Sequence, residues 1–284
     1  CTKGRYGPLT KGISLDTACK LCTKGKYQNL LSQFEELACK SCLKGSYNDE
    51  EGSTSINDCI GCPTGRFGNR KGLINDGNNL LLDTTVRCVF CPTGYYQNEV
   101  GREDSSTCKS ATPGKYVPEE EAIASINCVV GKYSGSEADT CILCPKGYFQ
   151  PNIKGIDCKL GTKGFYISNK GQDHQDACVV GKYGIDDRTE CLACPKGWWQ
   201  GNEARMKCIG VSTGHFAATA MSSKQIKCPA GWYGLSQADK SFCKKCAAGR
   251  WSETQGLAAG SECQDCSPGR YNNEKGVHSW TLCK

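Results

Sequence analysis

Everything an enzyme pocket is usually built around is scarce in this sequence. Its 284 residues include two methionines and three histidines (His174, His215 and His278). There is no glycine-rich phosphate loop, no His-Glu-x-x-His and no nucleophile elbow, so an enzyme is not expected and no cofactor is implied. The longest apolar run, around Leu80, Leu81 and Leu82, is far too short to span a bilayer, which excludes membrane insertion within this segment. No basic cluster stands out: net charge is +6 with acids and bases interspersed, and lysines such as Lys26, Lys115, Lys132 and Lys182 sit singly beside a glycine. Nucleic acid is therefore not an expected partner. None of the fourteen asparagines lies in an Asn-x-Ser/Thr sequon, so no conventional N-glycan is expected, while O-linked sugars stay open. Numbering opens at Cys1 inside a repeat and closes past Cys283, which reads as a mature product or a fragment of a longer array.

What the sequence has instead is cysteine, at 24 residues, and glycine, at 34, a disulfide-scaffold composition. They recur together. The frame Cys-x-x-Gly-x-(Tyr/Phe/Trp) starts at residues 1, 22, 42, 62, 91, 128, 144, 178, 194, 228, 246 and 266. Three further units, starting at Ala111, Gly161 and Val211, keep the glycine and the aromatic without the cysteine. Such repeats mark a linear array of small modules. The glycine predicts a turn with positive φ or a close chain approach. The aromatic two residues on is expected to lie against a disulfide and cover the junction to the next unit.

The three incomplete units reveal the pairing. Cys108 and Cys128 are present, but Ala111 and Ser125 stand where cysteines are expected; Gly161 with Gln175, and Val211 with Gln225, are lost in the same way. Partners that disappear together leave no stranded thiol, so each unit closes its own loop. The predicted bridges are Cys1–Cys19, Cys22–Cys39, Cys42–Cys59, Cys62–Cys88, Cys91–Cys108 and Cys128–Cys141 in the first half of the sequence. Cys144–Cys158, Cys178–Cys191, Cys194–Cys208, Cys228–Cys243, Cys246–Cys263 and Cys266–Cys283 follow. Zinc ribbons built on the Cys-x-x-Cys pairs are the competing reading, but the missing cysteines split those pairs, and three histidines cannot supply the lost ligands. The compartment implied is oxidising: secreted, cell-surface or extracellular.

One bridge and one buried ring cannot offset the entropy of ordering a unit, so each must lean on its neighbours. The expected fold is an elongated, loop-rich rod of about fifteen single-disulfide modules with short two-stranded β pieces, roughly 150 Å long at sheet-packing spacing. Helix-friendly patches are confined to 30–37 and 119–124. Regular units occupy 1–61; 62–90 is an expanded unit with an insertion at 78–86. In 91–227 every third unit is cysteine-free, with a 50-residue super-repeat from 128, and 228–284 is regular again.

Units of the form Cys-x-x-Gly-x-Tyr, closing on a cysteine and passing through Cys-x-x-Cys into the next, resemble the ephrin-receptor-like cysteine-rich repeat. They are also similar to the single-disulfide submodule of TNF-receptor cysteine-rich domains, without the two-disulfide submodule that alternates with it there. Long uninterrupted arrays of this unit occur in large extracellular proteins of protists and algae, and this sequence is similar to them. The resemblance implies a structural extracellular protein, a segment of a filament, surface appendage or matrix, whose partners are other copies of itself or other matrix and filament proteins. The alternative is a ligand-binding or adhesive ectodomain stalk. Candidate contact residues are Trp198, placed beside Trp199, and the Leu80, Leu81 and Leu82 insertion, with the cysteine-free units as further lateral contacts.

Overall fold

The computed structural model describes residues 1–7, 18–74, 87–234 and 240–284. The insertion holding Leu80, Leu81 and Leu82 falls in 75–86, outside the described residues. Two compact bodies form: Cys1–Ile142 with Asn152–Asp157, and Leu143–Pro151 with Cys158–Lys284.

The first body holds the bridges Cys1–Cys19, Cys22–Cys39, Cys42–Cys59, Cys62–Cys88, Cys91–Cys108 and Cys128–Cys141. The second holds Cys144–Cys158, Cys178–Cys191, Cys194–Cys208, Cys228–Cys243, Cys246–Cys263 and Cys266–Cys283. No cysteine is free.

Each bridge fixes the base of a hairpin. The fifth and sixth residues of a unit form one strand, and the two residues after its closing cysteine form the other. In the first body Lys26 pairs with Ser41 and Tyr27 with Lys40; in the second Trp198 pairs with Gly210 and Trp199 with Ile209. Among the described residues there are fourteen such strand pairs, each a separate two-stranded sheet. A two-residue ladder is marginal alone, so it depends on the bridge beside it.

Loop length selects what lies between the strands. The five bridges that span 17 residues are each preceded by a 3-10 turn: Glu36–Ala38, Ile56–Asp58, Ser105–Thr107, Gly260–Glu262 and Trp280–Leu282. Ser55 caps one of them reciprocally with Asp58, a capping box that satisfies end groups on both sides. Bridges spanning 13 or 14 residues have no such turn. The helix-friendly patches give no helix: 30–37 ends in the Glu36–Ala38 turn, and 119–124 is a turn with Glu121 at φ 61°. Their apolar residues have no core to face.

Units are joined through the backbone. In the first body Gly25 N–H donates to the Asn48 carbonyl at 2.8 Å, and Cys42 N–H returns a bond to the Gly25 carbonyl at 2.9 Å. Asn48 N–H donates onward to the Leu73 carbonyl at 3.0 Å, while Gly52 N–H reaches back to the Cys22 carbonyl at 2.8 Å. The second body repeats this with Gly181 to Gln200, Cys194 to Gly181, Gln200 to Ser222 and Met221 to Cys194, at 2.7, 2.9, 3.0 and 2.9 Å. The fourth-position glycine has positive φ in all fifteen units, between 74° and 85°. In most units it is also roofed, though not at Gly249 or Gly269: a β-carbon on Gly164 would lie 2.1 Å from the Ala204 carbonyl oxygen, two units downstream. A side chain is excluded there on both counts.

A second left-handed position follows, at the residue whose N–H reaches back to the preceding unit. Among the described residues, seven non-glycine residues with positive φ stand at or next to it: Ser32, Glu121, Glu137, Lys154, Arg188, Ala204 and Met221, of which Arg188 keeps its N–H within its own unit, on the Ile185 carbonyl. Glycine fills it in other units, at Gly52, Gly72, Gly101, Gly171, Gly256 and Gly276. Strain of this kind persists only where surrounding bonds over-determine the backbone.

Candidate functional site

With a bridge, a sheet and a turn in each unit, the buried space is small and concentrated at one position. The seventh residue, just past the aromatic, is buried in all fifteen units. Its carbonyl accepts from the preceding unit and its N–H donates to the following one, so the backbone bonds themselves draw it inward. In bridged units it is small or polar. Ser134 Oγ lies 3.3 Å from Cys128 Sγ, and Asn272 Nδ2 lies 3.4 Å from Cys266 Sγ. Gln200 donates through Nε2 to the Lys207 carbonyl at 2.8 Å and accepts the Asn202 N–H at 3.0 Å, closing its own loop. Gln28 and Gln97 bond the carbonyls of Ala38 and Thr107 in the same fashion.

In the three cysteine-free units the seventh residue is apolar and complements the first. The pairs are Ala111 with Val117, Gly161 with Ile167, and Val211 with Ala217, all buried. Their side chains carry one and three carbons, none and four, and three and one, so each pair supplies the same total. Ile167 reaches into the space opposite Gly161, where an added β-carbon would lie 2.5 Å from its Cδ1. An aliphatic plug of constant volume thus replaces the disulfide, as close packing requires. In two of the three, glutamine stands at the lost closing position and ties the loop with hydrogen bonds: Gln175 to Thr162, and Gln225 Oε1 accepting the Ser212 N–H at 2.8 Å.

The aromatics seal bridges across junctions. Tyr47 packs on Cys62, Cys88 and Leu73; Phe67 on Cys91 and Cys108; Tyr233 on Cys246, Cys263 and Leu257. Each ring therefore covers the disulfide of the next unit rather than its own. Tyr271 lacks such a cover and is 61 % exposed.

Trp198 is 47 % exposed, with its ring laid over Gly210, its strand partner. Trp199 is half-buried, and its indole N–H has no hydrogen-bond partner among the described residues. The other candidate contacts, Leu80, Leu81 and Leu82, lie outside the described residues.

Titratable groups with displaced pKa values are scattered; Asp104, Asp173 and His174 are exposed and Tyr95 is partly buried. His174 is pushed up by its 2.6 Å hydrogen bond to Asp173 and by the nearby Asp176 carboxylate. The same bond lowers Asp173. Asp104 is lowered by hydrogen bonds from Ser106, whose N–H it caps at 2.9 Å, and Tyr95 is raised by its bond to Glu137. None of these groups lies in an enclosed cavity. Among the described residues, no three or more His, Cys, Asp and Glu gather where they could hold a metal ion, and no helix is long and apolar enough to cross a membrane.

Single-disulfide units in tandem, each with a two-stranded sheet and a left-handed glycine, define the class: a small-module cysteine-rich repeat array. A family model described as tyrosine-protein kinase ephrin type A/B receptor-like matches residues 12–59 and 131–178. Over those two stretches the chain is similar to ephrin-receptor-like cysteine-rich repeats. What matches is a receptor-type cysteine-rich repeat and not a catalytic domain. No curated protein matches the chain.

Proposed function

We propose that the chain is a structural segment of an extracellular protein, contributing to a filament, surface appendage or matrix. The observation that carries this reading is the junction. A recurring set of backbone N–H and carbonyl bonds joins the units, beside ring packing and a few side-chain bonds, so that part of the connection survives wide variation in side chains. Twelve bridges and no free thiol suit an oxidising exterior. The partners that fit are further copies of the chain and other matrix or filament proteins. Electron microscopy of purified chain over rising concentration tests the proposal. Ordered lateral or end-to-end assemblies are expected, and a field of isolated monomers at the highest concentration defeats it.

A second reading, an adhesive or ligand-binding ectodomain stalk, is favoured by the half-exposed Trp198 ring and by the receptor-type family that matches. Flow cytometry of cells incubated with labelled intact chain and with Trp198→Ala tests it. Equal binding of the two removes the ring from the argument.

A further inference from the structure

Lysine and arginine are spread thinly along the sequence, yet the second body gathers four of them around one open hollow of about 470 Å³. Lys244 and Lys245 come from the closing strand of the unit that starts at Cys228, Arg250 from the next unit and Lys275 from the one after. Tyr233 and Gly260 complete the wall. The hairpin register sets Lys244 opposite Tyr233 and Lys245 opposite Trp232, and the two following units bring Arg250 and Lys275 to the same hollow.

Two of the four cations are held in place. The Lys245 stem lies on Gly276, where a β-carbon would come within 2.9 Å of its Cγ. Its Nζ stands 5.0 Å from the centre of the Trp232 ring, a cation–π distance. Gly276 thereby also brings its neighbour Lys275 to the same place. Arg250 donates through Nη1 to the Gly260 carbonyl at 3.3 Å and through Nε to Asp265 Oδ1 at 2.8 Å. Asp265 offsets one charge of the four. Lys244, Lys245 and Lys275 make no ion pair among the described residues.

We infer that this hollow binds an anionic polysaccharide bearing sulfate or carboxylate groups. Three of its four cations are lysines, which act as mobile point charges and read charge density rather than one planar group. Tyr233, whose ring packs on the Cys246–Cys263 bridge, adds a partly exposed apolar edge to the wall that suits a sugar ring. The hollow is open, which fits a chain passing across it rather than a small molecule enclosed. At physiological salt charges further than about 8 Å are screened, so the ligand must place its anions within the hollow. The inference goes beyond the structural role and is independent of whether copies of the chain assemble.

Binding of the full chain to immobilised heparin tests it, with dextran sulfate and uncharged dextran as competitors. Wild type is expected to bind heparin, to be displaced by dextran sulfate and to ignore dextran. Lys245→Gln with Lys275→Gln is expected to weaken binding roughly tenfold and flatten its salt dependence. Lys163→Gln with Lys170→Gln removes the same charge elsewhere in the same body and is expected to change affinity less than about twofold. An equal loss in both double variants overturns the site, and displacement by plain dextran overturns the charge argument. Duplex DNA competing as well as dextran sulfate at matched salt overturns the polysaccharide assignment. Wild-type lysine acetylation with and without heparin needs no variant to fold. Protection of Lys244, Lys245 and Lys275 is expected, and unchanged labelling at these three residues refutes the site.

Discussion

The Gln175 side chain grips Thr162 at both ends, its Oε1 accepting the Thr162 N–H at 2.7 Å and its Nε2 donating to Thr162 Oγ1 at 3.0 Å. Gln175 occupies the place of a closing cysteine, and Thr162 directly follows the place of an opening one. A hydrogen-bonded clasp therefore stands in for a covalent one.

Restoring the covalent clasp is the first prediction. Gly161→Cys with Gln175→Cys encloses 14 residues, the separation of the native Cys144–Cys158 bridge. Ile167 must shrink to make room, so Ile167→Ser is added, the residue other units use at Ser134 and Ser252. The triple variant is expected to form a thirteenth bridge and to gain about 3 kcal/mol in denaturant unfolding. Two titratable thiols in the purified oxidised protein would sink the idea.

Constant plug volume gives a second prediction. Ile167→Ala should cost about 3 kcal/mol, since it removes three of the four carbons that fill the gap. Adding Gly161→Val recreates the Val211 and Ala217 pairing and should recover most of that loss. Urea unfolding of the single and double variants decides; a double variant no more stable than Ile167→Ala shows that the two positions do not share one space.

Glycine positions should separate sharply. Gly164→Ala places a β-carbon 2.1 Å from the Ala204 carbonyl oxygen at a φ of +85°, and a loss of at least about 2 kcal/mol is expected. Gly135→Ala meets nothing within 4 Å and should stay within about 0.5 kcal/mol of wild type. Thermal melts of both variants read the difference, and similar shifts would contradict the roofed geometry.

For pH, His174 is expected to titrate above its ordinary value of 6.5, because the Asp173 bond and the Asp176 charge favour the imidazolium. Any stabilisation this supplies is complete below the unfolded pKa and fades as pH rises through the raised folded one. Proton NMR titration of wild type and Asp173→Asn measures it. Unchanged midpoints would show that Asp173 does not set the histidine.

The unit boundaries, the left-handed glycine and the ring lying on a bridge were legible because each needs a residue type with no substitute. The seventh position was not. It is filled by Gln28, Ser134, Ile167, Gly184 and Ala217 alike, and its burial is imposed by backbone bonds on either side. The second left-handed position is hidden in the same way behind Ser32, Ala204 and Met221. Nor does the hollow show in sequence, where Lys245 and Lys275 lie far apart and only the stacking of three units joins them.

The carbonyl roof over most fourth-position glycines, absent at Gly249 and Gly269, has a consequence for how such a chain can change. Gly4 is roofed by Gly52, Gly25 by Gly72 and Gly214 by Gly256, always from two units downstream. A deletion ending inside a unit would misplace roofs over two others at once. Removal or duplication of a complete unit restores every roof with a new but equivalent residue. Copy number, rather than residue number, is the quantity in which this architecture can grow or shrink.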